Sequence, residues 1–429
     1  MLILLYNIYL SKNNKNILLF EFLWFILDWK YLMKTKRSYE MNTNRITLID
    51  ELRGFSLLGI LLANLLIFQY GIFGKDEIAF FDLPKWDITG YYFTKIFIES
   101  SFMPIFAFIF GYALILMADK LQDKQLPIKR YFFRRFIALM IFGFLHTYFI
   151  WEGDILLTYG SIGIILLMFL KRKPKTLLVW FIIFSSIIVL LGIGGTEEEA
   201  GILYSEETIT TFLQESTAIY QTGSYSEIRD HRMNDTPFEL GEMELMIILI
   251  MAPLMILPMF LIGMYAAHRK WLEQPKYFKR LAILLVPIGL LFKIAPYFIT
   301  FYDFSMLGGN VLALGYVFLF AHLYEKFRAS RFMAAFEQFG KLSLTNYILM
   351  SVIFTLIFYA YGLGLFAKVG IWLAVFIAII VYTLQVIFSN LYLKHFKQGP
   401  LEWIIRVIVY WNFKSKPKMK KVQEVDNAI

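Results

Sequence analysis

Long apolar runs separated by short polar loops dominate the chain from about residue 50 to residue 393. A helix needs about 20 mostly apolar residues to cross a bilayer, and ten runs approach that length. This repeating pattern predicts an all-α fold, a polytopic membrane helix bundle of about ten transmembrane helices. The predicted spans are 54–73, 97–118, 133–151, 155–171, 176–194, 243–267, 279–300, 306–326, 343–364 and 370–393.

The loops between these runs alternate in charge. Lys and Arg collect in every second loop, whereas the intervening loops are acidic or neutral. Cytoplasmic loops carry the excess of Lys and Arg in membrane proteins, so the alternation predicts that both ends of the core are cytoplasmic. The basic loops are 120–135, 171–175, 269–280 and 326–341, and the acidic or neutral ones are 76–87, 152–154, 197–199 and 302–303.

The same pattern divides the chain into consecutive segments. A poorly defined N-terminal extension precedes two five-helix halves, which an acidic extracytoplasmic cap loop joins. An interfacial amphipathic helix and a disordered tail follow. For the extension, a translation start at Met41 is preferred to an additional helix. In chain order, the segment boundaries are 1–44, 45–194, 195–242, 243–395, 396–413 and 414–429.

Composition supports a membrane protein and narrows its partners. Of 429 residues, 59% are hydrophobic and only 17% are charged, unlike a soluble chain of this length. The net charge of +9 comes from short loop clusters that suit an anionic leaflet, so we expect contact with membrane lipids and none with nucleic acid. The chain has no cysteine, and its five histidines lack metal-ligand spacing, so no metal site is expected.

An acid and a base open the first apolar run, in the sequence Asp50-x-x-Arg53-Gly54. Residues three apart share one face of a helix, so the two side chains can pair against the apolar span. Ionisable groups at membrane depth are expensive unless paired and often mark functional sites. The alternative is a flanking charge pair that only caps the helix and sets its orientation.

A second polar group lies between the third and fourth runs, in FLHTYFIWEGDILLTYG. Here His146 could act as a general base or nucleophile, and Asp154 or Glu152 could orient its ring. The alternative is a histidine bonded to a backbone carbonyl beside an ordinary polar turn. In the ninth run, the amide of Asn346 is costly in lipid unless satisfied, which makes it a candidate for oxyanion stabilisation.

The segment after the tenth run is QGPLEWIIR, in which Glu402 and Arg406 are four residues apart. A Gly-Pro turn followed by an amphipathic pattern predicts a helix that lies at the cytoplasmic interface. At that level Glu402 could reach Arg53, and Arg406 could reach Asp50. A plain surface anchor is the alternative.

Taken together, these motifs resemble the YeiB-like family of bacterial inner-membrane proteins, a domain family of unknown function. The resemblance extends from about residue 45 to residue 411. It is carried by IDELRGFSLLGILLANL, SFMPIFAFIFGYAL, FLHTYFIWEGDILLTYG, TGSYSEIRDHR, GKLSLTNYILMS and QGPLEWIIR.

That family is similar to a wider group of transmembrane acyltransferases, including the heparan glucosaminide acetyltransferases, which open their first core span with Asp-x-x-Arg-Gly. This resemblance implies an acyl-CoA donor, such as acetyl-CoA, on the cytoplasmic side and an extracytoplasmic glycan or lipid acceptor. Asp50 and Arg53 match the motif, and Arg134 and Arg135 would help Arg53 to bind the donor's phosphates. The histidine expected between the first two core spans is missing, because residues 70–100 contain none; His146 lies two spans later.

Three functions fit these observations. The favoured one is an acyltransferase-like enzyme of the bacterial cell membrane that moves an acyl group from a cytoplasmic donor to an extracytoplasmic sugar, lipid or envelope acceptor. The alternatives are a small-molecule transporter and a non-enzymatic envelope scaffold or sensor. The sequence leaves open whether the chain is an enzyme, and it leaves the oligomeric state open, with a homodimer as one alternative.

Overall fold

The computed structural model describes residues 47–192, 205–238, 242–274, 277–299 and 301–413. The described residues are helical, with short connections and no extended β-strand. The all-α prediction is therefore confirmed for this part of the chain. The predicted N-terminal extension and tail lie outside the described residues.

The helices follow one another closely along the chain. The first group comprises α1 (Thr47–Gly74), α2 (Lys85–Phe93), α3 (Phe102–Asp123), α4 (Ile128–Phe149), α5 (Leu156–Leu166), α6 (Pro174–Leu191), α7 (Glu206–Thr222) and α8 (Tyr225–Asn234). The second comprises α9 (Glu242–His268), α10 (Phe278–Ile294), α11 (Ser305–Phe327), α12 (Arg331–Lys341), α13 (Ser343–Phe358), α14 (Ile371–His395) and α15 (Pro400–Tyr410).

Six helical segments in the described residues are long and apolar enough to cross a membrane. They are α1, the combined α2–α3 segment Lys85–Asp123, α4, α6, α11 and α14. A seventh is added if α12 and α13, which are bent by 86°, form one broken span. The protein is therefore a multi-pass integral membrane protein. Ten spans and cytoplasmic ends stay predictions: α5, for example, has 11 residues and covers about 16 Å, short of a bilayer core of about 30 Å.

The outer surface of the bundle is apolar, as a lipid-facing surface must be. Only 11% of the residues of α6 are buried inside the protein, and side chains such as Ile182 and Leu190 are exposed. The same holds for Phe144 on α4 and Leu291 on α10. Because lipid tails are as apolar as these side chains, packing rather than water exclusion holds such helices together.

Glycines provide that packing where α1 meets α12. A methyl group on Gly340 would collide with the backbone oxygen of Asp50, and one on Gly54 would collide with the backbone oxygen of Phe336. Small residues allow two helix backbones to approach this closely. The start of α1 is therefore fixed directly against the bend between α12 and α13.

Helices α7 and α8 form a cap, which we define as residues 205–238, over the end of α4 and the loop that follows it. Ser205 caps α7 through a hydrogen bond from Thr208, and Ser224 and Glu227 form a capping box at the start of α8. Tyr225 donates a hydrogen bond to the backbone oxygen of Phe149. Local capping thus defines two short helices, and contacts to α4 position them.

Candidate functional site

A cavity of about 310 Å³ opens between α1, α3, α4, α5, α12, α13 and α15. Four basic side chains line it, one each from α1, α4, α12 and α15. Aromatic rings line the deeper part, including Tyr159 on α5 and Tyr347 on α13. The volume lies within the usual range for small-molecule pockets. The basic residues are Arg53, Arg135, Lys341 and Arg406.

The start of α1 contributes an ion pair to this region. Arg53 Nη1 lies 3.1 Å from Asp50 Oδ1, and the two residues are separated by one helical turn. The Asp50 side chain is 3% exposed and the Arg53 side chain 24% exposed, so the guanidinium lies nearer the cavity opening. The carboxylate therefore holds the guanidinium at the cavity wall.

Glu402 and Arg406, both on α15, line the same cavity. The Glu402 carboxylate accepts hydrogen bonds from the backbone N–H groups of Leu344 and Thr345, at 2.8 and 3.1 Å, and from the Thr345 hydroxyl at 2.6 Å. An acid at this position satisfies the free N–H groups and the positive end of a helix. Glu402 thus fixes the interfacial helix α15 to the first turn of α13.

Neighbouring arginines on α4 point to different places. Arg135 lines the cavity and stacks over Phe110, with its guanidinium carbon 5.8 Å from the ring centroid. Arg134, which the sequence suggested together with Arg135 as a phosphate ligand, is not among the lining residues. It donates to the backbone oxygen of Val409 at 3.3 Å and lies over the ring of Trp411. The helical rotation of α4 decides which of the two faces the cavity.

His146 and Asp154 come together next to the cavity, although neither is among the residues that line it. His146 Nδ1 lies 3.0 Å from Asp154 Oδ1, and both side chains are almost fully buried. The ring orientation falls outside hydrogen-bond geometry, and neither ring nitrogen has a hydrogen-bond partner among the described residues. Catalytic contacts are often loose before substrate binds. Nδ1 is the ring nitrogen that faces the carboxylate, and a hydrogen carried there would leave Nε2 as an acceptor.

Tyr347 joins this pair to the cavity. Its ring centroid lies 5.3 Å from that of His146, and its hydroxyl contacts the backbone of Gly153 at 3.3 Å and of Ile155 at 3.2 Å. Tyr347 is therefore packed between the cavity and the imidazole. Sequence reasoning did not select it, although it lies one turn after Ser343 in GKLSLTNY and so shares a face with the start of α13.

Asn346 has a different environment. Its amide nitrogen donates to the backbone oxygen of Phe339 at 3.1 Å and to the Ser389 hydroxyl at 2.9 Å, and it is 1% exposed. It is absent from the residues that line the cavity. These contacts tie α13 to α12 and α14, so the structure gives Asn346 a helix-joining position outside the cavity lining.

The cap closes the opposite side of the loop that carries Asp154. Arg232 donates to the backbone oxygens of Ile150 and Tyr148 at 2.8 and 3.0 Å, and its Nε lies 3.6 Å from Glu152 Oε2. The Tyr220 hydroxyl donates to Glu152 at 3.3 Å. Burial raises the pKa of the Glu152 carboxyl above its usual value, although the Arg232 charge opposes this. These polar contacts fix the loop from the cap side.

A buried aromatic pair lies at the start of the loop that carries Asp154. Trp151 is fully buried and stacks on Phe68 of α1, with ring centroids 4.1 Å apart. Its other contact is with the His146 ring, edge to face at 6.5 Å. The His146 ring therefore packs against both Trp151 and Tyr347.

Comparison with known proteins shows what the chain is related to. It is 31% identical over 403 residues to the uncharacterized protein YxaH of Bacillus subtilis, covering 89% of this chain and 98% of YxaH. The chain belongs to the YeiB-like family. This confirms the resemblance read from the motifs.

Two further uncharacterized proteins are also similar to most of this chain. The chain is 25% identical to the uncharacterized protein YeiB of Escherichia coli, over 83% of this chain and 94% of YeiB. It is 27% identical to an uncharacterized 39.9 kDa protein from the amylase 3' region of Bacillus acidopullulyticus, over 85% of this chain and 94% of that protein. The family model "Protein of unknown function (DUF418)" matches residues 246–412. No solved structure matches significantly.

The match to that model bears on the site of this YeiB-like protein. It includes α13 and α15, and so Tyr347, Glu402 and Arg406, but it begins after α4 and α5. His146 and Asp154 lie outside it. The cavity is built from residues on both sides of that boundary, which only the fold brings together.

Proposed function

We propose that this YeiB-like protein is an acyltransferase-like membrane enzyme that takes an acyl group from a cytoplasmic donor such as acetyl-CoA. The acceptor would be an extracytoplasmic sugar, lipid or envelope hydroxyl. The observation that carries the proposal is one cavity whose wall includes both the basic side chains and Tyr347, the residue packed on His146.

The basic part of the cavity suits the phosphates of a CoA donor. Arg53, Arg135 and Arg406 come from three different helices, and Lys341 comes from a fourth. Guanidinium groups bind phosphate oxygens through paired, charge-assisted hydrogen bonds. Asp50 pairs with Arg53, and Glu337 pairs with Lys341 at 2.7 Å. The Glu402 carboxylate instead accepts hydrogen bonds from the start of α13.

The spacing along α4 suits a long, narrow substrate. Arg135 and His146 are on the same helix, and 11 residues of helix cover about 16 Å. This is about half of a bilayer core of about 30 Å. A flexible chain such as a pantetheine arm, anchored by its phosphates near Arg135, would then extend towards Tyr347 and the imidazole.

His146 would supply the acid–base chemistry. Its Nε2 would accept the proton of an acceptor hydroxyl as that oxygen attacks the acyl carbonyl carbon. As the carbon–sulfur bond breaks, the imidazolium would return the proton to the departing thiolate. Asp154 would hold the ring in the required tautomer, and a positioned base of this kind contributes about 10²–10⁴-fold to a rate.

The two arginines on α4 provide a matched test of donor binding. Purified protein in nanodiscs is titrated with labelled acetyl-CoA. We expect Arg135→Ala to weaken binding by about 10- to 100-fold, because a hydrogen bond to a charged group contributes about 1.5–3 kcal/mol. Arg134→Ala, which changes the same charge outside the cavity, should change Kd by less than about threefold. Equal losses from both variants, or no binding to the wild type, would refute the donor site.

A second experiment addresses the chemistry. Release of free thiol from acetyl-CoA is followed in membranes that contain the overexpressed protein and its native acceptors. His146→Gln should bind the donor normally and release thiol about 10²-fold or more slowly. Unchanged release by His146→Gln would rule out this role, and solute flux without thiol release would point to the transporter instead.

A further inference from the structure

The cap contains a second constellation that the proposed function does not use. Ser216 on α7 and His231 on α8 face each other, with Ser216 Oγ 2.8 Å from His231 Nε2. On its other side, His231 Nδ1 lies 2.7 Å from Oδ2 of Asp235, the C-cap residue that follows α8. Ser216 and His231 are both buried, at 7% and 5% exposed. A serine, a histidine and a carboxylate thus form one continuous hydrogen-bonded chain.

The order of these contacts is that of a nucleophile, a base and an orienting acid. Because Asp235 accepts the hydrogen on Nδ1, Nε2 is left to accept the hydroxyl hydrogen of Ser216. His231 and Asp235 are four residues apart, so one turn of α8 sets their contact. Phe212 stacks on the imidazole with ring centroids 5.4 Å apart, and Tyr220 meets its edge at 6.0 Å, which fixes the ring plane.

A small cavity of about 40 Å³ lies beside the serine. Its wall includes Ser216, His231, Arg232, Gly71 and Gly74. A space of about 10–15 Å³ by this measure holds one water molecule, so this cavity admits about three non-hydrogen atoms. That is the size of an acetyl group and excludes a long acyl chain.

Arg232 contributes a donor at this cavity, its Nε, which lies 3.6 Å from Glu152 Oε2 in an ion pair. Its side chain is 2% exposed, and its two terminal nitrogens are held by the backbone of Tyr148 and Ile150. Its Nε has no hydrogen-bond partner among the described residues. A fixed, buried donor beside a nucleophile is the arrangement that stabilises a developing oxyanion.

A wider groove also borders His231 and Asp235. It has a volume of about 550 Å³, is open to the surface, and is lined by His231, Asp235, Thr222, Gly223 and Asn234 among others. A short acyl group in the small cavity and its larger alcohol in this groove would meet at the serine–histidine pair. The surroundings therefore fit an ester whose acyl part is small and whose alcohol part is large and polar.

We propose that Ser216, His231 and Asp235 form a second catalytic site, on the cap, that cleaves short acyl esters such as O-acetyl groups. Ser216 Oγ attacks the ester carbonyl carbon, and His231 Nε2 takes the serine proton and gives it to the departing alkoxide. The products of this first half of the reaction are a free alcohol and acyl-Ser216. A water molecule, deprotonated by His231, then attacks the acyl-enzyme and releases the acid and the free serine. This site goes beyond the proposed function and does not depend on it.

The test uses the full-length protein in detergent, without any acyl-CoA. A small fluorophosphonate probe is added, because it bonds to an activated serine oxygen and releases fluoride. Labelling should map to Ser216 by mass spectrometry and disappear in Ser216→Ala. His231→Gln should slow labelling by about 10²-fold or more, and Asp235→Asn by about tenfold or more. Ser226→Ala, an exposed serine on α8, should label like the wild type.

Ester turnover and stability separate chemistry from structure. With p-nitrophenyl acetate, the wild type should release a burst of about one nitrophenolate per protein, which Ser216→Ala should lack while melting within a few degrees of the wild type. Absence of label on Ser216 in the folded wild type would overturn the proposal. So would equal labelling rates in the wild type and His231→Gln. A large loss of melting temperature in Ser216→Ala, with no labelling of the wild type, would identify the contact as a link between two helices.

Discussion

Asp154 has two contacts that substitution can separate. Oδ2 accepts a 2.6 Å hydrogen bond from the backbone N–H of Leu157, in the first turn of α5, and Oδ1 faces His146 Nδ1 at 3.0 Å. Asp154→Ala removes both contacts. Asp154→Asn keeps an oxygen for Leu157 but turns an amide N–H₂ group towards the imidazole. The imidazole must then accept at Nδ1, which moves its own hydrogen to Nε2.

The two variants should therefore differ in both stability and activity. Loss of a capping side chain costs about 0.5–2 kcal/mol, and leaving a buried polar group unsatisfied costs about 1–3 kcal/mol. We expect Asp154→Ala to lose about 2–4 kcal/mol of stability. Asp154→Asn should lose about 1 kcal/mol or less. In this variant, however, the Nε2 atom of His146 carries a hydrogen and can no longer accept a proton. Its thiol release should fall by about 10²-fold or more, as far as in His146→Gln.

The measurements are thermal unfolding in detergent, followed by tryptophan fluorescence, and thiol release from acetyl-CoA. The expected order of melting temperature is wild type, then Asp154→Asn, then Asp154→Ala. If Asp154→Ala has the same melting temperature as the wild type, the hydrogen bond from Leu157 to Asp154 does not stabilise the start of α5 as described. Full thiol release by Asp154→Asn would refute the tautomer argument even if the order of stability holds.

Three further predictions concern stability and are read from the same thermal unfolding. Gly340→Ala should lose about 1–3 kcal/mol of stability, because its methyl group would meet the backbone oxygen of Asp50. Gly74→Ala should lose less, because its methyl group meets only movable side-chain atoms. Equal losses would argue against the close helix contact. Glu402→Ala should lose about 1–2 kcal/mol through the uncapped start of α13, and Glu402→Gln should recover part of it. Burial raises the pKa of Glu152 in the folded state, so the folded protein binds more protons at this residue than the unfolded chain does. Stability should therefore decrease as the pH rises from the ordinary Glu pKa of 4.5 through the raised pKa. Glu152→Gln should flatten this pH dependence, and an unchanged slope would contradict the prediction.

Hydrophobic patterning was sufficient for much of the fold. The predicted first, third and fifth spans coincide with α1, α4 and α6, because long apolar runs in lipid must satisfy their own backbone as helices. The bend of 86° between α12 and α13 was not predicted. The sequence predicts one span over 343–364 and a basic loop before it. The structure has the helix α12 in that loop, because contacts with α1 and α14 fix it in place.

The candidate site depended more on tertiary structure. The spacing of Asp50 and Arg53 allows their ion pair, because three residues return a helix to the same face. The choice of Arg135 over Arg134, the packing of Tyr347 on His146, and the inward position of Asn346 depend on how helices are rotated against one another. No local pattern specifies that rotation in an apolar bundle.

By itself, then, the sequence determined a helical membrane protein of the YeiB-like family and the polar residues available to it. The tertiary structure decided which of those residues share a cavity. It also paired Ser216 with His231, which lie 15 residues apart in a cap whose function the sequence left open. The physical reason is that periodicity sets the faces of each helix, whereas contacts between helices set which faces meet.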